Sequence, residues 1–189
     1  MNYAVFLGAL LLSTPALAHT GHGGTSGLLA GLLHPVLGLD HLLAMVAVGI
    51  WSGLALPRHP WGGAAAFLGA MLAGAGLAFA GVTMPAVETL ILASVVIFGL
   101  LVLVAKPEMP AALTVAALVA IGFFALGHGH AHASEAEGGA IAYVAGFVIA
   151  TSLLHVAGIG VARGIAGKLV LQRVLGGAIA AAGLLLAAS

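Results

Sequence analysis

The chain has 189 residues, 62% of them hydrophobic and 5% charged, with a formal net charge of zero. A soluble domain carries about a quarter charged residues, so this composition marks an integral membrane protein held in a lipid bilayer. The balanced charge offers nucleic acid no basic surface, and the absence of cysteine removes disulfides, thiolate metal sites and thiol redox chemistry. In chain order, Tyr3 to Leu12 form a short apolar run, Pro15 breaks it, and Ala16-Leu17-Ala18 fits a small-x-small cleavage pattern. Residues 1–18 therefore read as a signal peptide. A short uncleaved anchor is the alternative, since Met1-Asn2 brings no Lys or Arg. Cleavage would leave His19 and His22 near a free amine, either as a loose metal collector or as a polar leader.

Breaks at Pro, Gly and charge divide the remainder into six apolar spans, 27–56, 61–82, 84–105, 110–133, 139–162 and 167–188, each near the ~20 residues a bilayer requires. The expected fold is an all-α integral membrane protein, a six-helix transmembrane bundle after an N-terminal signal peptide, with residues 19–189 as one domain. Arg58, Lys106, Arg163 and Lys168 fall in alternate loops, and Arg173 lies near the same end of span six. The positive-inside rule then puts all five basic residues in the cytoplasm and both mature termini in the periplasm of a bacterial inner membrane. Gly69, Gly74, Gly76, Gly146, Gly176, Gly177 and Gly183 read as close helix packing. No internal repeat stands out, although two groups of three spans permit an inverted pair.

Nine histidines accompany ten other charged residues, a ratio that directs attention to metal or proton chemistry. Ionisable groups cost a few kcal/mol each inside a membrane helix and mark pathways or ligand sites. They cluster here. Span one holds His34, Asp40 and His41 in His34-Pro35-Val36-Leu37-Gly38-Leu39-Asp40-His41. On a regular helix His34 and His41 lie about 20° apart around the axis and about 10 Å apart along it, too far to share one ion easily. Met45 continues the stripe, as a path residue or as packing. Pro35 and Gly38 supply a structural break, Pro35 by removing a helix hydrogen bond, so that Asp40 and His41 can reach an ion held by other helices. At the end of span four His128, His132 and Glu135 share one face, whereas His130 and Glu137 point away. A polar helix end dissolving into the interface is the bland reading of that stretch. Glu88 stands one turn inside span three, as ligand or helix cap, and His155 lies deep in span five, as path residue or structural histidine. His22 and His59 are loop residues.

Ordered by depth, these groups form a ladder: His128, His132 and Glu135, then Glu88 and His34, then Asp40 and His41, then His155. Imidazole and carboxylate without thiolate suit borderline first-row ions, and conduction needs several weak sites. The residues thus point to a divalent-metal permease.

The sequence also resembles the HupE/UreJ family. His34 to His41 fits that family's HPxxGxDH signature, and His128-Gly129-His130-Ala131-His132-Ala133-Ser134-Glu135 is similar to its HGxAHGxE segment, with Ala133 in place of the usual glycine. Phe67 and Glu88 fall where the family carries a functional phenylalanine and glutamate. The resemblance implies nickel or cobalt uptake, supplying hydrogenase or urease maturation. Ni²⁺ or Co²⁺ would be the transported substrate, with no prosthetic group. No GxxxxGK[ST] sequence is present, so a secondary, non-ATP permease is expected. The competing expectations are an intramembrane zinc hydrolase built on His34, Asp40 and His41 with Glu88 as base, and a haem subunit using His41 and His155. Oligomeric state is not legible in the sequence.

Overall fold

A computed structural model describes residues 27–134, 136 and 139–189; the leader, His19, His22 and Glu135 lie outside the described residues. Among the described residues the structure is all-helical: α1 (Gly27–Leu37), α2 (Leu39–Ala55), α3 (Gly62–Phe79), α4 (Val87–Val104), α5 (Ala111–Ser134), α6 (Ala140–Ile165) and α7 (Leu169–Ala187). Helices α3 to α7 are each long and apolar enough to cross a membrane. At 1.5 Å per residue the 18 residues of α4 cover about 27 Å, close to the ~30 Å of a hydrocarbon core.

The first expected span departs from the sequence reading. Residues 27–56 do not form one helix. They form two, α1 and α2, meeting at an angle of 78°, and six spans result only if this pair is counted as one. The break is at Gly38, which is extended (φ −80°, ψ 111°). Pro35 sits inside α1 and is buried, so the turn comes three residues after the proline rather than at it. The backbone stays satisfied across the turn: Gly38 N–H donates to the His34 carbonyl (3.1 Å) and Leu42 N–H donates to the Gly38 carbonyl (2.9 Å).

Three helix partnerships organise the bundle. Helix α6 runs beside both α1 and α2, α3 lies along α5, and α4 lies along α7. In the first two the partners follow one another in the same chain direction, and both rest on glycine. A Cβ at Gly158 would strike the Val46 carbonyl, and one at Gly129 would strike the Met71 carbonyl, so only bare backbones approach this closely. Of the glycines expected to pack, Gly74, Gly146, Gly176 and Gly183 do so, whereas Gly69 and Gly76 face open space. The α4–α7 pair is antiparallel and is fastened at one end by Gln172, whose Nε2 donates to the Val102 (2.9 Å) and Ala105 (2.6 Å) carbonyls. Exchanging the first three spans for the last three maps the α2–α6 pair onto α5–α3 and leaves α4–α7 unchanged. That is the pairing scheme of an inverted repeat, carried by packing rather than by residue identity. Between the partnerships lies a core containing Trp51, Phe67, Phe98 and Ile121.

Candidate metal centre

The bend at Gly38 decides the site. His34 is in the last turn of α1, and Asp40 and His41 open α2. Folding one helix against the other brings the His34 and His41 rings to 5.4 Å between centroids, half the separation a straight helix would impose. His132, in the last turn of α5, comes within 4.5 Å of His34 and 4.4 Å of His41. One ligand atom from each of the three imidazoles lies within 4.8 Å of the other two. The expectation that His34 and His41 are too far apart to share an ion is thereby corrected.

The hydrogen bonds fix which nitrogens are available. His41 Nδ1 pairs with Asp40 Oδ1 at 2.6 Å, and the same oxygen accepts from the His41 backbone N–H (2.8 Å). The carboxylate thus holds the ring and directs its proton to Nδ1, leaving Nε2 buried without a partner. Both nitrogens of His132 are likewise buried and unpartnered. His128 lies beside His41 (5.1 Å) and is held from α4. The Ser94 hydroxyl donates to the Ile91 carbonyl (2.6 Å), so its oxygen must accept from His128 Nε2–H (2.9 Å). His128 Nδ1 then carries a bare lone pair. Metal-binding histidines are prepared this way, one nitrogen tied to an acceptor and the other presented.

The end of α5 is not a polar tip in the interface. Residues 127–133 are all buried. His130 points away from the cluster, as its spacing indicates, and donates from Nε2 to the Val82 carbonyl at 2.7 Å. Glu88 is exposed in the first turn of α4, one turn before buried Ile91, and does not join the three-imidazole group. Met45 is wholly buried in the core of α2. Phe67 lies against both His128 (5.4 Å) and His155 (5.1 Å). The expected rungs therefore contract: His34, His41 and His132 share one level, His128 follows, then Phe67, then His155. The rings that His41 meets are those of His34, His128 and His132, while the ring that His155 meets is Phe67. Far from this cluster, loops 56–61 and 105–110 border an open cleft of about 240 Å³ with Arg58, His59 and Glu108 at its edge.

Sequence reasoning passed over Ser94, Tyr143 and Phe147. The Phe147 ring lies 4.1 Å from His132 and Tyr143 6.1 Å from His34. Listing uncharged polar side chains inside each span would have found Ser94.

The chain matches the family model described as HupE / UreJ protein over residues 7–186. The chain belongs to the HupE/UreJ family. A curated relative, Protein HupE of Rhizobium leguminosarum bv. viciae, is 46% identical over 182 residues, which cover 94% of this chain and 92% of the relative. No solved structure matches the chain. The HupE/UreJ match spans both motifs, all of α1 to α6 and all but the last residue of α7, so His34, Asp40, His41, His128 and His132 all lie within the family's own extent.

Proposed function

We propose that the protein is a secondary permease that carries Ni²⁺, or Co²⁺, across the bacterial inner membrane into the cytoplasm, where the ion serves hydrogenase or urease maturation. One observation carries this reading: three imidazoles from two separate parts of the chain converge within 4.8 Å, and those of His41 and His132 are buried with nitrogens left bare. Leaving buried polar groups unpaired is costly, and an imidazole trio meets that cost by binding a borderline divalent ion. His128 supplies the next lone pair inward, and Asp40 neutralises part of the arriving charge. The basic loops support this direction: under the positive-inside rule Arg58, Lys106 and Lys168 are cytoplasmic, which turns the His34–His41–His132 group toward the periplasm. The membrane potential favours inward passage of a divalent ion by about 4.6 kcal/mol per 100 mV, twice the single-charge value.

Uptake of labelled Ni²⁺ and Co²⁺ by cells making the protein tests the reading. His132→Ala and His34→Ala should reduce uptake to background while the protein still inserts. Wild-type uptake in either variant would remove the site from the path.

The hydrolase reading gains one observation of its own, because three histidines in one compact group is also the donor set of catalytic zinc. Zinc that survives purification in equimolar amount, together with no ion flux in proteoliposomes, would favour it over transport.

A further inference from the structure

On α6, Tyr143, Phe147, Thr151 and His155 recur every four residues, and all four are buried. Each step advances about 6 Å and turns about 40°, so the four form one gently winding stripe. Its first two members lie against the three-imidazole cluster. Its last two are among the most enclosed polar residues of the chain, Thr151 at 0% and His155 at 1% exposure. His155 Nδ1–H donates to the Thr151 carbonyl at 2.6 Å, which leaves the lone pair on Nε2, and nothing meets Nε2. The Thr151 hydroxyl is also without a partner. A hydroxyl in a helix ordinarily bonds back to the carbonyl one turn earlier, as neighbouring Ser152 does to Val148 (2.7 Å). Thr151 does not. A histidine serving only to fill space does not need its ring oriented and one nitrogen kept bare. Like His128, His155 has one ring nitrogen tied to an acceptor and the other bare, and both rings lie against Phe67.

We propose that His155 Nε2 is the inner receiving ligand for the ion, with the Thr151 hydroxyl as an oxygen donor beside it and Phe67 as the barrier between outer and inner sites. This step rests on the transport reading. The ion leaves His128 Nδ1, crosses the face of Phe67, where the ring quadrupole attracts a cation, and is taken by His155. With fewer nitrogen donors than the outer cluster, the inner site holds the ion less tightly, as release requires.

The test compares full-length wild type, His155→Phe, His155→Cys and Thr151→Val. The readouts are Co²⁺ titration in detergent, followed by absorption, and Ni²⁺ flux into proteoliposomes. The phenylalanine variant should bind its first equivalent of Co²⁺ as wild type does and lose the second, weaker equivalent. Its flux should fall by roughly tenfold or more. Cysteine, which restores a ligand, should recover part of the flux. If His155→Phe fails to fold, Thr151→Val, which keeps the volume and removes the donor, should show the same split between retained outer binding and reduced flux. Wild-type flux in His155→Phe, or in Thr151→Val when only that variant folds, would overturn the inner site alone. Absence of flux in the wild-type protein would overturn the transport reading and this step with it.

Discussion

Asp40 makes the site's chemistry depend on a single carboxylate oxygen. Oδ1 accepts from both the backbone and the ring of His41, so one atom sets that ring's tautomer and its direction. Asp40→Asn keeps the shape but loses the charge and can turn its amide toward the ring. Partners that orient a ligand are worth about 10–100-fold in metal affinity, and Asn should weaken Ni²⁺ binding by that order, as equilibrium titration of the purified variant would read. Residue-level legibility was uneven for physical reasons. His34, Asp40, His41, His128 and His132 stand out because each is expensive in hydrocarbon. Ser94 does not, because a serine in an apolar helix normally satisfies itself by bonding backward. It does so here, to Ile91, and its oxygen still has a lone pair for His128.

At the level of elements, the motif His34 to His41 is a junction between two helices. Helical arithmetic places His34 and His41 too far apart on a straight rod to share one ion easily, and the rod is bent. The sequence marked where distortion was available but not its size, because Pro35 and Gly38 are each compatible with a mild kink or a sharp turn. Gly38 has φ −80°, which any residue adopts, so its backbone freedom is not what the site needs. It needs the space. A Cβ at Gly38 would lie 3.0 Å from His41 Nδ1 and 3.1 Å from Asp40 Oδ1, tight enough to push on the pair. Gly38→Ala should therefore lower Ni²⁺ affinity and uptake with little change in thermal stability, measured by titration beside a melting curve. An equal loss of both would show that the residue serves the fold rather than the pair.

Across the whole molecule, α1, α2 and α6 carry His34, His41, Thr151 and His155, while α3 and α5 carry Phe67, His128 and His132. The proposed path follows the seam between these two groups, whose backbones approach far less closely than those within a group. An ion at His34, His41 and His132 ties the two sides together. Ni²⁺ should accordingly raise the unfolding temperature, the stabilisation reaching about 2.7 kcal/mol when free ion is 100 times its dissociation constant. His132→Ala should abolish the shift, and an undiminished shift in that variant would place the bound ion elsewhere. The pairing of spans was not legible beforehand, since apolar faces in lipid carry little information about which neighbour they meet. The 78° bend has one more consequence. On a single straight rod the spacing of two ligands is fixed by the helix itself and is the same for every sequence. With His34 on one rod and His41 on another, the bite offered to the ion becomes an angle between rods. That angle is set where α1 rests on α6, at Gly31 and Gly146, two residues that touch no ligand. Discrimination between ions of slightly different radius can then be tuned there, with every coordinating side chain left as it is.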